Sequence, residues 1–110
     1  MPVVRIPCDQ IADWDTFHSV FAQVLGFPSF YGKNMNAWVD CLTYLDEPGD
    51  GMSNVVLHDH DILTLQLDAA ESFRSRCPEQ FDALVTSASF VNLRRVERGL
   101  RPTIALAFFQ

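Results

Sequence analysis

Apolar residues recur along this chain at changing intervals, and the changes mark out its elements. Trp14, Phe17, Phe21, Val24 and Leu25 step by threes and fours, the rhythm of a helix with one buried face. Asp13 or Asp15 has the chemistry to cap its start, and Gly26 is a stop signal at its end. Met35, Trp38, Val39, Leu42 and Leu45 repeat the rhythm, with Asn34 as the better N-cap over Lys33. Between the two helices Pro28 pushes Phe27 towards extended backbone, and Gly32 is expected to supply a turn that other residues resist.

The rest of the chain divides by the same logic. Val3 to Ile6 reads as a short strand and Asn54 to His58 as a second, with a Pro/Gly-rich loop from Asp46 to Ser53 between helix and strand. Asp61 to Leu67 fits neither pattern uniquely, and Asp68 to Arg76 suits a short helix. Cys77-Pro78-Glu79 opens a longer helix, with proline in the first turn. Phe81, Leu84, Val85, Ala88, Val91 and Val96 carry it towards Gly99, and the weak helix formers of Thr86 to Phe90 make a kink or break conceivable. Thr103 to Phe109 is nearly all apolar, as in a strand covered on both faces, with one-sided cover the alternative. Strands separated by helices need crossovers and so imply parallel pairing. The expectation is an α/β fold, a small three-stranded parallel sheet packed with about four helices, as a single domain over residues 1–110.

Composition narrows the class. Of the 110 residues 48% are hydrophobic, including nine Phe and two Trp, which is enough for a core without staples. The N-terminus lacks a long apolar region and no run approaches the ~20 residues that span a bilayer, so neither a secretory signal nor a membrane segment is expected. Three cysteines, Cys8, Cys41 and Cys77, are odd in number and follow no metal or redox spacing, which suits reduced thiols in a cytoplasmic protein. Charge is segregated: the net value is −6, no Lys or Arg lies between Asn34 and Phe73, and six Arg follow from Arg74 onward. The basic-free stretch holds eight acids, Asp40, Asp46, Glu47, Asp50, Asp59, Asp61, Asp68 and Glu71. The acidic half argues against direct nucleic-acid binding, since phosphates demand the opposite sign; a basic protein fits, because opposite fields speed encounter. Acidity by itself serves solubility equally well.

The second helix concentrates the candidate chemistry. Asn36, Asp40, Thr43 and Glu47 form a polar face opposite the apolar one, with Asp40 near its middle. Across the eighteen residues Phe27–Tyr44 the chain resembles the barstar family, intracellular protein inhibitors of barnase-type ribonucleases. Pro28, Phe30-Tyr31-Gly32, Asn34, Ala37 and Asp40-Cys41-Leu42-Thr43 carry the resemblance. It implies the barstar-like fold, no catalysis, no cofactor or metal, and a basic ribonuclease as partner. It also implies a partner-binding face of Asp40, Phe30, Gly32, Asn34, Asn36, Val39, Thr43 and Tyr44. In the family the aspartate matching Asp40 occupies a phosphate position in the enzyme, and charge-assisted hydrogen bonds to Arg, Lys and His are the expected chemistry. The aromatic matching Phe30 packs on the partner's active-site groups, whereas Tyr31 is expected to plug the core. Asn36 stands where the family has an acid, Val39 where it has Trp, and Tyr44-Leu45 where it has Gly-Trp. The acid of the last helix has no match, since Asn92 to Arg98 is basic.

Two rival readings come from elsewhere in the chain. His58-Asp59-His60-Asp61 offers metal-ligand side chains, and a small metal-dependent enzyme is the reading it supports. In an extended strand only alternate members share a side, and no HExxH or Cys/His pair completes a set. A protein-interaction module with the same fold and a non-nuclease basic partner is the other. Cys41 has no paired base and reads as a structural thiol, and His18 reads as a surface or boundary residue on the first helix. No phosphate loop, dinucleotide fingerprint or serine elbow is present.

Overall fold

The computed structural model describes residues 2–110. Three strands, β1 (Val3–Pro7), β2 (Leu63–Asp68) and β3 (Ile104–Phe108), form one parallel sheet in the order β1-β2-β3. Helices α1 (Trp14–Leu25) and α2 (Met35–Thr43) lie in the first crossover, and α3 (Ala70–Arg76) and α4 (Pro78–Glu97) in the second. Short 3-10 turns occupy Cys8–Gln10 and Pro48–Asp50. None of these helices is long and apolar enough to cross a membrane.

The middle strand is not the one expected. Asn54–His58 is irregular, and β2 is drawn from the segment whose pattern was ambiguous. Leu63, Leu65 and Leu67 alternate with Thr64, Gln66 and Asp68, so one face is wholly buried. The apolar Val55-Val56-Leu57 run buries only Leu57 fully and takes single backbone bonds to helix and loop ends, Asn54 N–H to Leu25 and Leu57 N–H to Leu45. An apolar run becomes a strand only where an edge is free to pair, and the inner edges of both β1 and β3 are taken by residues 63–68.

The same cluster of buried side chains joins sheet and helices: Ile6, Leu63, Leu65, Leu67 and Ile104 meet Phe17, Phe21, Leu25, Trp38, Leu42, Phe73, Leu84 and Val91. β3 is an edge strand that grades from buried Ile104 through half-buried Ala105, Leu106 and Ala107 to exposed Phe108 and Phe109. Asn92 of α4 binds the start of this strand: its amide donates to the Ile104 carbonyl and its oxygen accepts from the Thr103 and Ile104 amides. α4 runs unbroken through Thr86–Phe90, because Leu84, Ser87, Ala88 and Val91 bury one continuous face and packing outweighs weak propensity. The next inward position is taken by Arg95, not by Val96, which is exposed.

Candidate functional site: the loop and outer face of α2

The site begins where α1 stops. Asp13 caps α1 in a reciprocal box with Thr16, and Gly26 ends it in left-handed backbone. Phe27 and Pro28 lead into a turn closed by the Tyr31 N–H on the Pro28 carbonyl at 2.9 Å, which puts Ser29 and Phe30 at its corners. Tyr31 turns inward against Phe27, with ring centroids 4.7 Å apart. Its hydroxyl lies 2.6 Å from His18 Nδ1. His18 is buried, further inside than the surface or boundary position expected, because it sits one turn beyond Trp14 and stacks on that indole.

Gly32 does not supply the left-handed turn. Lys33 does, at φ 53°, and Gly32 matters for closeness instead: a Cβ there would come within 3.3 Å of the Asn34 amide nitrogen. Asn34 is the N-cap of α2, its oxygen accepting from the Ala37 N–H at 2.8 Å. A non-glycine residue in left-handed backbone costs about 1 kcal/mol or more, and such strain gathers where a structure holds a loop in a required shape.

The eight expected contact residues divide. Phe30 is 73% exposed, the largest exposure among the big apolar side chains described. Gly32, Asn34, Asn36 and Asp40 are exposed, and Tyr44 is half-buried at the helix end. Val39 and Thr43 are not at the surface: they are 6% and 1% exposed, and the Thr43 hydroxyl donates to the Val39 carbonyl one turn back. Glu47 lies beyond the end of α2. The outward polar face of this helix is therefore Asn36 and Asp40, backed by Trp38, Val39, Cys41 and Leu42.

α4 brings cations to this face. Arg94 Nη1 donates to Asp40 Oδ1 at 3.1 Å, with the Asp40 side chain still 55% exposed. Arg98 donates to the Tyr44 hydroxyl at 3.0 Å and lies over its ring. Arg95, between them, goes inward: 4% exposed, it meets Asp46 through two nitrogens at 3.1 and 3.0 Å. It also donates to the Thr43 carbonyl at the end of α2 and to the Arg101 carbonyl. That arginine hydrogen bond, with the charge behind it, holds the Asp46 carboxyl below its ordinary value of 3.8. Reading by sequence missed Arg95, although a signal existed: it continues the Leu84, Ala88, Val91 steps of four and three, at a position where an apolar residue is expected.

The remaining chemistry-bearing residues fall outside this face. His58–Asp61 is a turn before β2, with the His58 N–H on Asp61 Oδ2 and His60 in left-handed backbone. No three His, Cys, Asp or Glu residues converge there or elsewhere among the described residues in a way that would hold a metal. Cys8, Cys41 and Cys77 are buried and free. Burial, with the Asp40 charge adding to it, pushes the Cys41 thiol up to about 11, so it is not an activated nucleophile.

Comparison with known proteins gives one family. The family profile described as barstar (barnase inhibitor) matches residues 1–103. No curated protein matches the chain.

Proposed function

The chain belongs to the barstar family, and from that premise we propose that it is a non-catalytic inhibitor that blocks a basic, barnase-type ribonuclease. The loop Phe30–Asn34 and the outer face of α2 dock into the enzyme's cleft, and Asp40 takes the place of a substrate phosphate. The observation that carries this reading is the exposure of the Asp40 carboxylate on a helix whose other side is locked into the core. A rigid element presenting one carboxylate loses little freedom on binding, which favours tight association. Phe30 adds an aromatic surface held at a turn corner. Val39 and Thr43 support the face from behind.

Arg94 is the cost within this arrangement. Its bond to one Asp40 oxygen must be exchanged for cations of the partner. The bond is single-pronged and its acid is more than half exposed, although the Arg94 side chain is only 24% exposed; a pair open to water on one side is worth about 1 kcal/mol, so a cationic cleft outcompetes it. Arg94 and Arg98 also leave the face mixed in sign, which favours a cleft that pairs basic groups for Asp40 with acidic groups for the arginines. Action in the cytoplasm agrees with three free buried thiols.

The test is inhibition of a purified barnase-type ribonuclease by wild type, Asp40→Ala and Asp50→Ala. Asp40→Ala weakens inhibition by more than about 2 kcal/mol, roughly thirtyfold, as expected for a central desolvated contact. Asp50→Ala changes it less than about threefold. Equal small losses for both would sink the docking reading.

A further inference from the structure

The loop that carries Phe30 has no regular structure, so something outside it must set its shape. Two side-chain ties join residues 29–33 to α1 among the described residues. One is the Lys33–Asp15 ion pair at 3.9 Å, exposed on both sides. The other is the contact between His18 Nδ1 and the Tyr31 hydroxyl at 2.6 Å. The first is screened and weak. The second is shielded, and breaking it strands a polar group on each partner.

His18 is itself held by its neighbours. It stacks on Trp14 with centroids 5.7 Å apart, meets Phe17 edge-on, and stands on a helix pinned by its capping box. Tyr31 meets the imidazole edge-on while its other neighbour is Phe27. Phe30 is the residue directly before Tyr31, and Gly32 and the left-handed Lys33 follow it. Fixing the Tyr31 hydroxyl therefore fixes the corner on which Phe30 stands and the entry to the Asn34 cap.

We infer that His18 is the positioning residue of this loop, acting through the Tyr31 hydroxyl to hold Phe30 in place on the outer face. For docking this rests on the reading proposed above; for loop geometry it does not. Desolvation keeps the imidazole neutral, with Lys33 opposing and Asp15 favouring its charge, and burial likewise keeps the Tyr31 hydroxyl protonated.

The test uses the full chain as wild type, His18→Phe, Tyr31→Phe, the double variant and His18→Asn, followed by amide hydrogen exchange at pH 7.5. His18→Phe and Tyr31→Phe keep an aromatic ring and delete the hydrogen bond. Each single variant speeds exchange at the Tyr31 amide, which donates to the Pro28 carbonyl, about three- to tenfold while β2 amides stay within about twofold. The double variant goes no further than either single, the signature of two residues acting through one contact. His18→Asn keeps a hydrogen-bonding atom near the Nδ1 position and restores most of the protection. Binding to catalytically inactive barnase, used as the probe, weakens by the same factor in both singles. Failure of wild type to bind barnase counts against the docking reading with that enzyme and leaves exchange to decide the role of His18. Unchanged loop exchange in both singles, additive effects, or acceleration of β2 together with the loop would overturn the inference. Should His18→Phe not fold, Tyr31→Phe alone decides it by the same loop and β2 amides.

Discussion

Asp40 and Asp46 stand six residues apart, and consecutive arginines of α4 reach them, yet the two pairs do opposite things. At Asp46 the guanidinium is buried, both carboxylate oxygens are engaged, and the same group satisfies the Thr43 and Arg101 carbonyls. Helix ends leave carbonyls without partners, so Arg95 acts as a C-terminal clasp for α2. At Asp40 one oxygen is engaged and the side chain remains more than half exposed. The contrast teaches that an acid–arginine pair is architecture when its cation is desolvated and bound by several acceptors. It is an exchangeable surface contact when water reaches it.

The hardest test of that contrast is stability. Arg95→Ala destabilises the protein by about 3 kcal/mol or more, because it empties a buried site and orphans the Thr43 carbonyl. Arg94→Ala costs less than about 1 kcal/mol. Urea unfolding of both variants measures the difference, and similar midpoints would erase the distinction between the two pairs. Removing Arg94 sharpens it from the other side. Asp40 then has no internal cation to give up, so binding to a basic ribonuclease strengthens by roughly two- to fivefold, read from dissociation rates. Weaker binding would mean that Arg94 contacts the partner itself.

Acid titration separates the pairs more gently. The Asp46 carboxyl lies below its ordinary 3.8 when folded, so its contribution is complete above that pH and is lost as pH falls through the lower folded value. Asp46→Asn lowers the neutral plateau and flattens the stability curve below about pH 4. An acid limb identical to wild type would show that the Arg95 hydrogen bond gives the carboxylate no preference in the folded state.

Much of this architecture is legible in the residues alone. Helix starts and stops are local: Asp13, Asn34, Pro78 and Gly26 act on backbone groups within four residues of themselves, and each sits where the structure begins or ends a helix. The amphipathic rhythm of Trp38, Val39 and Leu42 likewise orients α2 and turns Asp40 outward with no help from elsewhere. The parallel α/β class follows from the alternation of elements, and Phe30 and Tyr31 part as expected, one outward and one inward.

Tertiary structure decided what depends on partners distant in the chain. Which apolar run became β2 was set by the free edges of β1 and β3, and Asn54–His58 lost that place to the alternating Leu63, Leu65 and Leu67. His18, stacked inward on Trp14, meets the hydroxyl of Tyr31 from thirteen residues on, a partner that no local rule supplies. The charge segregation so plain along the chain is partly undone in space, where Arg94, Arg95 and Arg98 reach residues 49 to 54 positions away. Local periodicity fixes which way a side chain points on its own helix. What it then touches is settled only when another element arrives, because burial and pairing are properties of the contact and not of either residue.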